Sequence, residues 1–381
     1  MDFSLNKEQQ DIIKAARKFA KGEFPDRALE FDRAETFDLN IWKKACELGF
    51  VGVFIDEKYG GAGYGFFEHC LINEEFWAVE PGMAMQVLSA TFGSELLLIY
   101  ANEQQKQELL PSLTLGEAIM GTAITEPDAG CDVTGAVTTA IRDGSAWVIN
   151  GTKMFATNGN VADFLLVFCR TDPDSDSPHR RHSFIIVPTD TQGYAATKIH
   201  GKMGIRASDT AEVSLRDVRV PLDNLVGKQG EGFYQLMEFF NRTRLHICAQ
   251  GVGLARAALE ESIRHVKGRR QFGVPIADFQ ATRFKIAEMA TKIRAARNLY
   301  YEAALAADRG TIDHGLVDMA KWYSARIAVE CADEAVQMHG GYGYIDEYKV
   351  QRLYRDAKIL EIYEGTKEIE KTIIANTLLG K

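Results

Sequence analysis

Ala136-Val137-Thr138-Thr139-Ala140-Ile141-Arg142-Asp143-Gly144-Ser145-Ala146-Trp147-Val148-Ile149 interrupts a chain that otherwise reads as helix. Two β-rich runs, Ala136–Ile141 and Ala146–Ile149, flank Asp143-Gly144, the dipeptide that closes tight hairpins because both positions tolerate positive φ. Two more β-rich runs follow, Phe164–Cys169 and Ser183–Val187, joined through the polar loop Thr171–Arg181. The strand block therefore spans about 118 to 228.

On either side the period changes. Ile12, Ile13, Ala16, Phe19 and Ala20 recur at helical spacing, and the apolar-rich stretch Met83–Tyr100 continues the pattern. Beyond Gly230 the spacing predicts helices near 232–266, 279–309, 313–339, 347–360 and 365–379. Helices, strands, then helices favour an α+β chain with an antiparallel β domain between two helical domains over alternating βαβ units. The expected divisions are 1–117, 118–229 and 230–381.

Composition narrows the function. The 381 residues carry a formal net charge of −9, which disfavours nucleic-acid binding. No apolar run approaches the roughly 20 residues of a membrane span. The start, Met1-Asp2-Phe3-Ser4-Leu5-Asn6, lacks a basic, apolar leader, so a cytoplasmic protein beginning here is expected. Six scattered cysteines form no C-x-x-C pair, which suits a reducing compartment. His179-Arg180-Arg181-His182 reads as part of a solvated loop rather than a metal site, and neither H-E-x-x-H nor G-x-S-x-G occurs. No metal is expected. Gly61–Phe66, Gly251–Arg256 and Gly341–Asp346 each lack the third glycine of a dinucleotide fingerprint, so a nucleotide cofactor must be held another way.

Seven segments in order carry a further signal. They are Thr125–Asp132 (TEPDAGCD), Asn150–Gly159 (NGTKMFATNG), Met203–Ser208 (MGIRAS), Arg269–Ile276 (RRQFGVPI), Gln337–Tyr344 (QMHGGYGY), Arg355–Lys358 (RDAK) and Ile362–Thr366 (IYEGT). In this order the sequence resembles the acyl-CoA dehydrogenase family over some 240 residues. The resemblance implies the same three-part layout, with a central β-barrel or sandwich and a C-terminal four-helix bundle. It also implies FAD as cofactor.

Read by itself, Glu364 is a glutamate near a helix start, where the dipole favours acids. The resemblance makes it the base that takes the Cα proton of an acyl-CoA thioester, while a hydride leaves Cβ for flavin N5. Ile124 and Thr125 then match the isoalloxazine edge, Phe155 the stacking position usually held by tryptophan, and Thr157 the N5 contact. As residues alone, Ile124 and Phe155 equally suit ordinary half-buried strands. Arg269 and Phe272 match groups that reach FAD across a dimer interface, Gln337 and Gly341 the loop closing that end, and Thr366 a further FAD contact. The resemblance thus implies a homodimer, usually paired into a homotetramer, with an electron-transferring flavoprotein as electron acceptor. For the substrate, Arg244 matches the adenosine end of CoA, Asn241 stands where aspartate is common, Cys131 where serine touches pantetheine, and Tyr363 and Gly365 flank the base. Glu368 replaces a frequent glutamine. Thr243 stands where some relatives keep the base and cannot serve as one, which leaves Glu364.

The stretch Met83–Tyr100 should line the acyl end, with Thr91 in its wall and Glu95 its only acid. Thr91 offers no second proton acceptor, so ordinary α,β-oxidation is expected, on a short, branched or alicyclic thioester such as cyclohexane-1-carboxyl-CoA. An acyl-CoA oxidase, an enoyl-CoA reductase and a non-catalytic flavin-binding relative are the rival readings.

Overall fold

The computed structural model describes residues 4–380; the expectation for the start of the chain falls in part on residues outside these. Seven helices come first: α1 (Lys7–Glu23), α2 (Pro25–Ala34), α3 (Leu39–Glu47), α4 (Phe66–Trp77), α5 (Pro81–Leu88), α6 (Ser94–Tyr100) and α7 (Glu103–Thr114). Asn6 caps α1 by accepting from the Gln9 amide, and Gln9 returns the bond, so two orphan groups of the first turn are satisfied. The helix buries Ala16, Phe19 and Ala20, three of the residues whose spacing predicted it. Helix α4 has no polar face: Phe66, Phe67 and His69–Trp77 are all buried, because neighbours cover it all round.

The long apolar stretch Met83–Tyr100 does not form one helix. It breaks between α5 and α6, where Gly93 adopts φ +110° and Thr91 bridges Met120 of the first strand. A side chain at Gly93 would meet Thr122 Oγ1 at 2.2 Å, so the break is fixed by close approach to the sheet.

Eight strands build the central sheet: β1 (Met120–Ala123), β2 (Thr139–Asp143), β3 (Ala146–Thr157), β4 (Phe164–Arg170), β5 (His182–Pro188), β6 (Tyr194–Lys198), β7 (Thr210–Pro221) and β8 (Leu225–Val226). Their order is β6-β7-β3-β2-β4-β5-β8, with β1 alongside β4. The Asp143-Gly144 hairpin pairs β2 with β3 from Asp143↔Ala146 to Thr139↔Asn150. Pairing is antiparallel except for β1 with β4 and the single Thr139↔Arg170 pair, which are parallel. His182, expected in a solvated loop, begins β5 fully buried: its ring stacks on Phe168 and its Nε2 lies 3.0 Å from the Ala136 carbonyl.

The chain then returns to helix in α8 (Gly232–Gly268), and a small hairpin, β9 (Arg270–Gln271) and β10 (Val274–Pro275), leads to α9 (Gln280–Asp308). Helices α10 (His314–His339), α11 (Lys349–Ala357) and α12 (Lys367–Leu379) complete the fold. Gly251 and Gly253, dismissed as a nucleotide fingerprint, lie in the middle of α8 and let it cross its neighbours closely. A Cβ on Gly251 would come within 2.7 Å of the Ser324 carbonyl in α10, and one on Gly253 within 2.6 Å of the Glu74 carbonyl in α4. The same crossing is tied by charge. Glu74 accepts from Arg297 and Arg256 at 2.7 Å and from the Tyr300 hydroxyl at 2.6 Å, while Glu75 accepts from Arg256 and Arg17 at 2.8 Å. Gly253→Val should overpack this crossing and cost about 3 kcal/mol; a lowered urea midpoint with an unchanged slope checks it.

Candidate active site

Glu364 lies on the short loop between a 3₁₀ turn (Lys358–Glu361) and α12. Its φ is +57° and that of Gly365 is +105°. A left-handed glutamate is held only where its surroundings over-determine it. Here they do: Arg244 Nε donates to the Glu364 carbonyl at 2.9 Å, and Lys321 Nζ donates to the carbonyls of Tyr363 at 3.0 Å and Gly365 at 2.6 Å. Lys321 is fully buried and ion-paired with Glu370, and Arg244 is paired with Asp318 at 2.9 Å. Two buried cations therefore grip the backbone on both sides of one carboxylate.

The Glu364 side chain is half-buried and lines a cavity of about 1220 Å³. Burial pushes its carboxyl above the ordinary range; the Thr243 hydroxyl and the charges of Arg244 and Lys321 pull the other way. Thr243 Oγ1 lies 2.6 Å from Glu364 Oε2 and 3.2 Å from the Phe239 carbonyl. It has one proton to give, and the charged, closer acceptor takes it. Thr243→Val should raise the Glu364 pKa further. The folded base would then hold its proton to higher pH, so the acid limb of a kcat/KM profile should move upward, with the plateau less affected.

The central β domain contributes Ile124, Thr125, Phe155 and Thr157 to the same cavity wall. Phe155 sits at a register shift in the β3–β7 pairing with φ +56° and 63% of its surface exposed. A strained aromatic presented to a cavity suits a flat ring system against which it can pack. Its neighbour Lys153 is fully buried, giving hydrogen bonds to the Ile124 carbonyl (3.0 Å) and to Glu126 (2.8 Å), so the wall is fixed from behind. Cys131, Asn241, Thr366, Tyr363 and Gly365 reach the same cavity. Cys131 Sγ is 3.9 Å from Thr366 Oγ1, and the Tyr363 hydroxyl donates to Gln250 Oε1.

Two residues differ from expectation. Thr91 is buried in its bridge to Met120 and does not line the cavity; Ser89 and Phe92 on either side of it do. Arg244 touches the cavity, yet it is only 6% exposed and spends its hydrogen bonds on Glu364 and Asp318. It is placed to hold the base rather than to meet a distant phosphate.

Arg269, Gln337 and Gly341 meet in a second hollow, of about 460 Å³, whose walls share no residue with the first. Arg269 lies over the Tyr342 ring and has no carboxylate partner among the described residues. Such an arginine fits a pyrophosphate. Phe272, at the tip of the β9–β10 hairpin with φ +50°, is 94% exposed. The residues that the family pattern assigns to FAD thus form two groups within one chain. Sequence reasoning missed Lys321, which belongs to no motif, and the cavity residues His69, Asn73, His246 and Gln250. Spacing could have found the last four: His69 and Asn73 lie four apart on α4, and His246 and Gln250 follow Thr243 on one face of α8.

Residues 6–117, 121–218 and 230–379 match the N-terminal, middle and C-terminal domains of acyl-CoA dehydrogenase. The chain is 40% identical to the acryloyl-CoA reductase (NADH) of Anaerotignum propionicum, over all of this chain and 97% of that one. Butyryl-CoA dehydrogenase from Megasphaera elsdenii superposes with a TM-score of 0.95 at 35% identity over all of both chains. A glutaryl-CoA dehydrogenase from Mycobacterium smegmatis in complex with FADH2 does so with a TM-score of 0.93 at 31% identity, over 99% of this chain and 96% of that one. The chain belongs to the acyl-CoA dehydrogenase family. It is an FAD-dependent oxidoreductase acting on acyl-CoA thioesters. No helix is long and apolar enough to cross a membrane among the described residues.

Proposed function

We propose that the protein removes the hydrogens at Cα and Cβ of a short, branched or alicyclic acyl-CoA to give the 2-enoyl-CoA, with Glu364 as the base. The observation that carries this reading is the Glu364 carboxylate itself: it lines the cavity, accepts from Thr243 and is raised in pKa by burial. A carboxylate of raised pKa has more proton affinity for a weakly acidic C–H than an ordinary one. The left-handed backbone at Glu364 aims its side chain from a loop whose carbonyls are held by Lys321 and Arg244. Ile124, Thr125, Phe155, Thr157 and Thr366 would hold the flavin at the cavity wall. When bound, FAD supplies the two-electron acceptor for the hydrogen leaving Cβ. Arg269, Phe272, Gln337 and Gly341 would reach the FAD of a second copy, in a homodimer or homotetramer, since they lie apart from the Glu364 cavity. Cys131, Asn241, Tyr363 and Gly365 would contact the thioester and its carrier arm. An electron-transferring flavoprotein is the proposed acceptor and the cytoplasm the proposed compartment.

Cyclohexane-1-carboxyl-CoA is the proposed representative substrate. The cavity beside the base has Met85, Leu88 and Ile247 in its walls, which suit a compact hydrocarbon body. Anaerobic turnover with a dye acceptor tests this: kcat/KM for the cyclic thioester should equal or exceed that for butyryl-CoA, and a strong preference for butyryl-CoA would overturn it. The second reading is enoyl-CoA reduction with the same groups, favoured by the 40% identity to a protein named as a reductase. Chemically reduced enzyme reoxidised by an enoyl-CoA far faster than oxidised enzyme is reduced by the saturated thioester would favour that direction.

A further inference from the structure

Helices α4, α5 and α8 contribute to the wall of the Glu364 cavity, and the most unusual part of that wall is a pair of imidazoles. His69 is 3% exposed and His246 9% exposed, and their ring centroids lie 4.3 Å apart. Both line the cavity. Neither ring makes a hydrogen bond within the described residues. His69 Nδ1 and His246 Nε2 are without a partner and closed off, which leaves His69 Nε2 and His246 Nδ1 as the nitrogens a ligand in the cavity can meet; the nearest acid, Glu95, stands 3.7 Å from His246 Nδ1, beyond hydrogen-bond reach. The amides around them are by contrast satisfied. Asn73 Nδ2 donates to the His69 carbonyl at 3.1 Å, Gln250 Nε2 lies 3.3 Å from Asn73 Oδ1, and Gln250 Oε1 accepts from Tyr363. Two unsatisfied imidazoles are a costly way to wall a pocket meant only for hydrocarbon.

Their position relates them to the reacting carbons. His246 follows Thr243, the partner of Glu364, by three residues on α8, a rise of about 5 Å. The pair thus lies about one helical turn along α8 from the partner of the base, in a cavity that Met85, Leu88 and Ile247 also line. Burial keeps both rings neutral, His69 being lowered to about 3 and His246 well below its ordinary value. A neutral imidazole offers one N–H donor and one acceptor nitrogen. Two neutral rings bring no charge to offset a buried carboxylate, and the Glu95 carboxyl behind His246 is itself pushed up to about 7 by burial.

We propose that His69 and His246 form a recognition site for an uncharged oxygen, a hydroxyl or ketone, on the far side of the acyl group. The substrate class is then an oxygenated short-chain or alicyclic acyl-CoA, whose oxygen exchanges hydrogen bonds with the imidazole pair while its hydrocarbon body packs on Met85, Leu88 and Ile247. This rests on the dehydrogenation reading above and sharpens it.

The test uses the flavin-loaded enzyme and thioester pairs that differ by one oxygen: cyclohexane-1-carboxyl-CoA against its 4-hydroxy derivative, and hexanoyl-CoA against 5-hydroxyhexanoyl-CoA. In at least one pair the oxygenated thioester should have the higher kcat/KM by tenfold or more, because a site built for a hydrogen bond discriminates strongly against the analogue lacking it. In His246→Leu and His69→Phe that ratio should fall toward one, and His246→Asn, which keeps a donor and an acceptor, should retain part of it. Flavin reduction by the parent thioesters with no gain from oxygen, or a ratio unchanged in the variants, would overturn the recognition site alone. A flavin-loaded enzyme reduced by none of the thioesters, butyryl-CoA included, would overturn the dehydrogenation reading together with it.

Discussion

Glu364→Gln should lower kcat by about a thousandfold or more while FAD remains bound, since a general base in the transition state is worth about 10²–10⁴. The substitution is nearly isosteric. The introduced amide could still meet the Thr243 hydroxyl, and the backbone at this position would remain held by Arg244 and Lys321 through carbonyls that the change does not touch. The loss should therefore appear in kcat and kcat/KM alike, with thioester binding largely kept, as for an interaction that matters only in the transition state. Removing a buried acid also removes its desolvation cost, so the variant should be no less stable than the parent. A variant that lost both stability and flavin would mark Glu364 as structural; near-normal turnover would remove it from the chemistry.

Lys321→Met should have the largest effect on stability, about 3–5 kcal/mol. Its ammonium is fully buried, serves the carbonyls of Tyr363 and Gly365, and pairs with an equally buried Glu370. Methionine fills the stem's volume and leaves two carbonyls and a carboxyl without a donor. Burial already pushes Glu370 up to about 7, so in the variant this carboxyl would stay protonated, which limits the loss without restoring the loop. The left-handed conformation at Glu364 would then lose its support on one side. A lowered unfolding midpoint together with reduced kcat, measured where the variant is still folded, checks both consequences. Unchanged activity in a destabilised protein would mean that Arg244 alone positions the base.

Sequence reasoning reached furthest where local chemistry and period agree. The Asp143-Gly144 hairpin, the amphipathic spacing of α1 and the long C-terminal helices are all legible because each is specified within a short window. It failed where distant parts of the chain decide. Met83–Tyr100 reads as one apolar helix, and only the approach of the sheet at Gly93 and the Thr91–Met120 bridge show why it must break. His182 looks solvated beside polar neighbours, yet the strand it begins carries it into the core against Phe168. Gly251 and Gly253 resemble a fragment of a nucleotide motif and serve helix crossing instead.

The site divides similarly. Glu364 and the residues of the sheet wall were legible through the ordered segments that resemble the family, and the fold brings them to one cavity. Arg244 was placed near the far end of CoA, but burial turns it inward onto the Glu364 carbonyl. Lys321 carries no local signal, and the spacing that marks His69 and His246 does not show that the two rings meet, which is decided only when α4, α8, α10 and the base loop come together.

The central claim, that this chain oxidises an acyl-CoA through bound flavin with Glu364 as base, is tested most directly by the visible spectrum of the purified protein under anaerobic conditions. Titrated with a panel of saturated acyl-CoAs, the wild-type protein should be yellow and bleach with one or two of them, while Glu364→Gln should be equally yellow and stay oxidised on the same timescale. A protein that cannot be loaded with FAD, or a Glu364→Gln variant that bleaches as fast as wild type, would contradict it.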